Sequence, residues 1–243
     1  MNYDCLLLSE KSINIFCDGS ITKIDYEDGT YEQIGCPGYC IINNKGEIIE
    51  ENYSVIIRNA TNNITENRAI YFALYRAVCY ARLGYDVNVF SDSQYCVYSF
   101  TKWIYNWIKN IYEGHMYNSS GEIVANEQLI YQVAALILNA GANINIYHQK
   151  GHVTLKNDSI LNARRVFIIS NNIKDDDQIS IEFIKTISSM NDRVDKFTKF
   201  TLMNLDKSIL KPEPVYMMPI QFDLEQFDMA QYKNNIKRRK YDE

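Results

Sequence analysis

Apolar residues recur along this chain with two different periods. Ile13, Ile15 and Phe16 crowd into "SINIFCDGS", which predicts a short buried strand running into a turn at Asp18-Gly19. "GYCIINNKGEIIEENYSVII" is broken at Asn44-Lys45-Gly46 and predicts a hairpin, so three antiparallel strands open the domain. From Thr65 to Leu83 the spacing changes. Ala69, Ile70, Ala73, Leu74, Ala77, Val78 and Ala81 recur every three or four residues, the mark of a helix with one buried face, and Gly84 closes it. "VNVFSD" predicts a strand, "SQYCVYSFTKWIYNWIKNIYEG" one or two short helices, "NEQLIYQVAALILNAG" a helix with a glycine stop, and "ANINIYHQKGH" a further strand. The order, three strands, helix, strand, two helices, strand, describes a mixed sheet with helices packed on it over roughly the first 150 residues.

Beyond that point the pattern loosens. "SILNARRVFII" and "SIEFIKTISSM" predict amphipathic helices flanking a solvated "KDDD" run, and "NDRVDKFTKFTLMNL" predicts a separate last helix capped by its own Asn-Asp pair. Pro212, Pro214 and Pro219 and a basic "KRRK" then change the composition, so residues 206–243 are expected to form a tail after a domain of residues 1–205.

Composition narrows the classes. Hydrophobic residues make up 47% and aromatics 13%, enough for a substantial core. The net charge of -5 provides no global basic field, so a nucleic-acid partner would have to be held by local Lys and Arg or by metal ions that offset phosphate charge. Cys5, Cys17, Cys36, Cys40, Cys79 and Cys96 form no C-x-x-C and read as reduced core residues rather than a zinc site. No charged, apolar leader opens the chain and no run of about 18 apolar residues occurs, so the expectation is a soluble, cytoplasmic protein without a membrane partner.

Asp18 ends the first predicted strand and Asp92 the fourth, so a sheet that sets those strands side by side brings two carboxylates to one edge. Like charges a few ångströms apart repel unless a cation lies between them, and Mg²⁺ suits such oxygen ligands. Asp195, expected in the first turn of the last helix, is a candidate third ligand. Singly, each has an ordinary explanation: a turn, a helix cap, a complement to the helix dipole. Their joint arrangement points to a metal site.

"IFCDGS", "TNNITENRAIYFAL", "VFSDSQY", "WIYNWIKN", "NEQLIYQVAALI", "HQKGH" and "NDRVDK" follow one another in the order seen in type 1 ribonuclease H of the bacterial and phage kind. The chain resembles that family from about residue 12 to residue 204, with an insertion at residues 153–190. The resemblance implies an α/β ribonuclease H-like fold, a mixed five-stranded sheet flanked by helices. It implies an endonuclease that hydrolyses the RNA strand of RNA–DNA hybrids with two Mg²⁺ ions, Mn²⁺ being an alternative. By the same resemblance Asp18, Glu66, Asp92 and Asp195 would hold the metals, and His152 would help the metal-bound water or the product to leave. Thr61, Asn63, Gln94 and Asn126 would contact the hybrid, with Trp103 in a handle region that also carries Lys102, Trp107 and Lys109. That handle is thin in Lys and Arg, and Arg164-Arg165 on the insertion are candidates for further phosphate contacts.

The glutamate has two registers. Counting forward from "TNN" it falls on Glu66; counting back from Asp92 it falls on Ile70, and an apolar residue there would leave a hybrid- or duplex-binding module without chemistry. The two positions share a helix face, about 6 Å apart along the axis. Charge compensation among the carboxylates favours Glu66. In the tail, Gln221, Leu224 and Phe227 of "QFDLEQF" resemble peptides that dock on DNA sliding clamps, although Asp228 stands where some of these carry a second aromatic. Packing of the same stretch onto the domain is the alternative.

Overall fold

Ser12–Asp25 forms one uninterrupted strand, β1, which runs through Asp18 and Gly19 instead of turning there. The computed structural model describes residues 11–53, 56–140, 144–154, 156–174, 179–206 and 228–236. Gly19 serves close packing, not chain reversal: a Cβ at this position would stand 2.7 Å from Thr65 Cγ2 and 3.0 Å from the Thr65 carbonyl carbon. Tyr31–Ile42 (β2) pairs antiparallel with β1 along its whole length, from Asn14 opposite Ile42 to Asp25 opposite Tyr31. The predicted hairpin turn is present. Asn43 Oδ1 accepts from the amides of Lys45 and Glu47, Gly46 takes a φ of 77°, and Ile48–Tyr53 (β3) returns along β2. A short strand, Ile57–Arg58 (β4), also pairs with β2.

Asn62–Arg82 forms the long helix, α1, capped by Thr61 and stopped at Gly84, where φ is 85°. Its buried residues include Ala69, Ile70, Ala73, Leu74, Ala77, Val78 and Ala81, the stripe that the apolar spacing predicts. Asp86–Ser91 (β5) then pairs parallel with β1. The next segment is a chain of short helical pieces: Gln94–Tyr98 (α2), a π-helical turn at Ser99–Trp103, and Ile104–Lys109 (α3). A small hairpin of Ile111–Tyr112 (β6) and His115–Met116 (β7) follows, which the sequence pattern did not suggest, and then Glu127–Leu138 (α4). Ile144–His148 (β8) closes the sheet in the order β3-β2-β1-β5-β8, antiparallel on one side of β1 and parallel on the other.

The two faces of this sheet carry different chemistry because side chains alternate along a strand. Ile13, Ile15, Val87, Val89, Ile144 and Ile146 face one way and pack in one core with α1 and α4. The other face presents an in-register amide rung followed by an aromatic one. Asn145 Nδ2 donates to Asn88 Oδ1 over 3.0 Å, and Asn88 Nδ2 donates to Asn14 Oδ1 over 2.9 Å. One step along, Phe16 stacks on Phe90 at 4.9 Å and Phe90 on Tyr147 at 5.3 Å. Asn157–Ser170 (α5) and Ile181–Met203 (α6) cover this face, with Phe167, Phe183, Ile184 and Ile187 in its core.

The inserted segment and the last helix differ from the sequence expectation. "SIEFIKTISSM" and "NDRVDKFTKFTLM" are one continuous helix, α6, not two. No glycine or proline interrupts residues 181–203, and Asn191, expected to cap a new helix, is buried with its amide engaged elsewhere. Arg164, proposed for phosphate contact, instead donates from Nε to the Ile179 carbonyl over 2.7 Å and ties α5 to the entry of α6. Part of the segment expected to be a tail also returns to the domain: Met229–Asn235 (α7), capped by Asp228, buries Tyr232 and Ile236 in the core that holds α1 and α4. Gln221, Leu224 and Phe227 lie outside the described residues, as does Cys5; Cys17, Cys36, Cys40, Cys79 and Cys96 are free thiols. Among the described residues no helix is long and apolar enough to cross a membrane.

The contact at Gly19 gives a stability prediction. Gly19→Ala is expected to lower the unfolding free energy by about 2 kcal/mol through overpacking against Thr65. Urea unfolding reads this as a lower midpoint at unchanged slope. An unchanged midpoint would mean that α1 can shift away from β1 without loss.

Candidate active site

Four carboxylates approach one another where the parallel pairing of β1 and β5 ends, each from a separate part of the chain. The parallel register of β1 and β5 pairs Phe16 with Phe90, and continued by two residues it sets Asp18 level with Asp92. β5 stops at Ser91 while β1 runs on, so Asp92 lies just past a strand end and Asp18 lies inside a strand rather than at its end. Asp18 is buried, and the adjacent Gly19 amide donates to its Oδ1 over 2.7 Å. α1 is held close to this point by two glycines, since a Cβ at Gly35 would also meet Thr65, at 2.3 Å from Oγ1. That packing brings Glu66, the next residue, to the carboxylates.

The two glutamate registers are thereby separated. Glu66 Oε2 accepts from the Ser93 hydroxyl over 2.7 Å, beside Asp92, whereas Ile70 is fully buried in the apolar core between α1 and the sheet. Asp195 arrives from the middle of α6, not from a first turn. α6 crosses β2 closely at Gly38, where a Cβ would stand 2.5 Å from Thr198 Cγ2. The Thr198 hydroxyl is 2.6 Å from that of Ser20, and the Ser20 hydroxyl donates to Asp195 Oδ1 over 3.5 Å. Lys199 pairs with Asp195 Oδ2 over 2.7 Å.

These carboxylates repel one another. Burial first, then the charge of Asp92, push the Asp18 carboxyl from 3.8 up to about 8, and Asp195 and Glu66 add to the shift. Burial also raises Asp92, against the opposing effects of the Asn191 amide and His152. Glu66 is raised by burial, which outweighs its hydrogen bond from Ser93, and by the charge of Asp92. Such a set of hard oxygen donors held together against its own charge fits divalent cations. Among the described residues no three His, Cys, Asp or Glu side chains close on a single point as a ready-made cage.

His152 is exposed, with a left-handed φ of 51°, in the loop after β8. That loop presses on Asp92: a Cβ at Gly151 would meet Asp92 Oδ2, so a larger residue there would displace the carboxylate. The remaining expected residues have local contacts of their own. Thr61 caps α1, its Oγ1 accepting from the Ile64 amide, and Asn63 is exposed in the first turn with its carbonyl bonded to Asn67 Nδ2. Gln94 is exposed and donates to the Tyr98 hydroxyl over 3.4 Å. Asn126 takes a left-handed φ of 58° before α4, an uncommon conformation for a non-glycine residue. Tyr95 links the last two sites, since its hydroxyl donates to the Ala125 carbonyl and its ring lies 5.9 Å from that of Trp103. Trp103 is 36% exposed, while Trp107 is buried.

Sequence reasoning missed the side chains that orient Asp92. Gln149 Nε2 donates to Asn191 Oδ1 over 2.8 Å, and Asn191 Nδ2 donates to Asp92 Oδ2 over 3.1 Å. His148 adds a bond from Nε2 to the Asp92 carbonyl over 3.2 Å, and its neutral ring is favoured by burial, which holds its pKa below 6.5. Asn191 stands one helical turn before Asp195, a spacing that carries a signal only once the helix is known to be continuous.

A family model described as RNase H matches residues 10–162. The matched stretch includes Asp18, Glu66, Asp92 and His152 and stops before Asp195. A ribonuclease H of Orientia tsutsugamushi (strain Boryong) is 26% identical over 136 residues, covering 56% of this chain and 70% of that protein. Among solved structures, the foamy viral protease-reverse transcriptase in complex with RNA/DNA hybrid aligns with a TM-score of 0.46 at 16% identity, over 58% of this chain but only 18% of that chain. The PFV RNase H domain in solution aligns with a TM-score of 0.44 at 19% identity, over 65% of this chain and 93% of that one.

Proposed function

This chain belongs to the RNase H family, and from that premise we propose that it is an endonuclease that hydrolyses the RNA strand of RNA–DNA hybrids at the Asp18, Glu66, Asp92 and Asp195 carboxylates. The observation that carries this reading is the approach of Asp92, Asp195 and Glu66 to Asp18, whose carboxyl is raised to about 8 by burial and by these acidic neighbours. A cluster whose own charge disfavours ionisation is suited to cations that restore it. Asp18, Glu66, Asp92 and Asp195 would hold two Mg²⁺ or Mn²⁺ ions. When bound, such ions supply Lewis acidity at phosphorus and an activated water.

The chain's own residues have distinct tasks in this reading. Asn191 and Gln149 hold the Asp92 carboxylate in one orientation, and Ser93 does the same for Glu66. His152, exposed next to Asp92, is placed to help the product to leave the site. Asn63, Gln94 and Asn126 offer amide groups to the sugar 2′-OH that distinguishes RNA from DNA, and Thr61 and Asn126 offer a hydroxyl and an amide to a DNA-strand phosphate. Trp103 and Lys102 present an aromatic and cationic surface to the backbone.

Incubation of the full chain with a labelled RNA–DNA hybrid and Mg²⁺ or Mn²⁺ tests the reading. Expected are cleavage of the RNA strand, none of duplex DNA, and loss of activity with a chelator. Absence of cleavage at every concentration of either metal would overturn it.

A further inference from the structure

The buried carbonyl of Phe100 lacks the donor that an α-helix would give it. In Ser99–Trp103 the ladder runs in π register, and the Ile104 amide bonds to the Ser99 carbonyl, five residues back, rather than to Phe100, four back. Hydroxyls support the widened turn from within: Ser99 Oγ donates to the Tyr95 carbonyl and Thr101 Oγ1 to that of Val97, each over 2.8 Å. Phe100 is fully buried, so a donor that reaches its carbonyl from elsewhere in the fold meets no competition from solvent. The Tyr232 hydroxyl on α7 donates to it, at 3.0 Å and separated by 132 positions in the chain.

α7 is built to deliver that hydroxyl. Asp228 accepts from the amides of Ala230 and Gln231 and fixes the start of the helix. Tyr232 is fully buried, its ring set edge-on to Tyr105 at 6.0 Å, and Lys233 lies over the Tyr105 face at 5.2 Å. The turn that Tyr232 holds carries Lys102 and Trp103. Lys102 Nζ sits 3.3 Å above the Tyr98 ring, and Trp103 packs against Tyr95, Tyr98 and Trp107 with part of its surface open. A π turn contains one residue more than an α turn, so its persistence decides which side chains of this segment face outward.

We infer that Tyr232 is a positioning residue: the C-terminal helix holds the π turn in register and thereby sets the Lys102–Trp103 surface that grips the duplex. The affinity half of this inference rests on the function proposed above; the structural half does not. The C-terminal segment thus tunes substrate affinity from a site that touches none of the carboxylates.

Both tryptophans of the chain, Trp103 and Trp107, lie in or beside this turn, so intrinsic fluorescence reports on it without substrate. Tyr232→Phe in the full chain removes one hydroxyl and keeps the ring. The expected results are a shifted tryptophan emission, greater quenching by acrylamide, and a KM for the hybrid raised about fivefold at unchanged kcat. Unchanged emission and quenching would overturn the inference, as would a fall in kcat at unchanged KM. If the parent chain cleaves no hybrid, the proposed function fails, and the fluorescence comparison still decides whether Tyr232 holds the turn.

Discussion

Asp18→Asn is expected to abolish hybrid cleavage, by at least about a thousandfold, while making the metal-free protein more stable at neutral and alkaline pH. The two effects share one cause. Asp18 sits between Asp92, Asp195 and Glu66, and burial with their charges raises its carboxyl to about 8. In the unfolded chain the same group titrates near 3.9, as an aspartate does in water. Between those values the folded state holds a proton that the unfolded state has released. The contribution to stability is therefore fully present below about pH 4 and is lost as the pH rises through about 8. Asparagine carries no such penalty, so the variant should gain on the order of 2 kcal/mol over the parent at pH 8 in the presence of a chelator, and little at pH 4. Chemical denaturation at the two pH values measures this directly. A variant less stable than the parent at pH 8 would mean that the carboxylates do not repel, and retained cleavage would place the chemistry elsewhere. Divalent metal should reverse the order of stabilities by binding the parent's folded state.

Ile70→Glu is expected to destabilise the chain by roughly 3 to 5 kcal/mol and to leave cleavage no faster, whereas Glu66→Gln should remove cleavage with the fold intact. Ile70 is fully buried among Ala69, Ala73 and Leu74 of α1 and the apolar residues of the sheet, so a carboxylate there would have no counterion and no water. Glu66 lies one turn earlier, where the helix has passed beyond the apolar face and its side chain reaches Ser93. Thermal unfolding separates the outcomes. An Ile70→Glu protein that folds normally and cleaves faster would show that the helix presents residue 70, not residue 66, to Asp18 and Asp92.

The apolar periods alone determined much of this molecule. The stripe from Ala69 to Ala81, the turn at Asn43–Glu47 and the alternation in β1, β5 and β8 are local properties: a residue's side-chain direction within a helix or strand follows from its own backbone geometry. The carboxylates were legible for a related reason, since Asp18 and Asp92 stand at equivalent positions of two strands that a mixed sheet places together. Other features depended on partners far away in the chain. Glu66 and Ile70 share a helix face, and what separates them is how far α1 slides along the sheet, which Gly19 and Gly35 set by admitting Thr65 into close contact. Asn191 reads as a cap in isolation, because Asn-Asp is a good helix start. In the fold its amide bonds Asp92 and Gln149, and α6 runs through unbroken. Gly19 reads as a turn for the same reason, yet the space it leaves is filled by a helix some forty residues later. The return of Tyr232 to Phe100 has no local signature at all. Patterns of polarity state which side of an element is buried; the partner, the offset along it and the long-range hydrogen bonds exist only once the elements have packed.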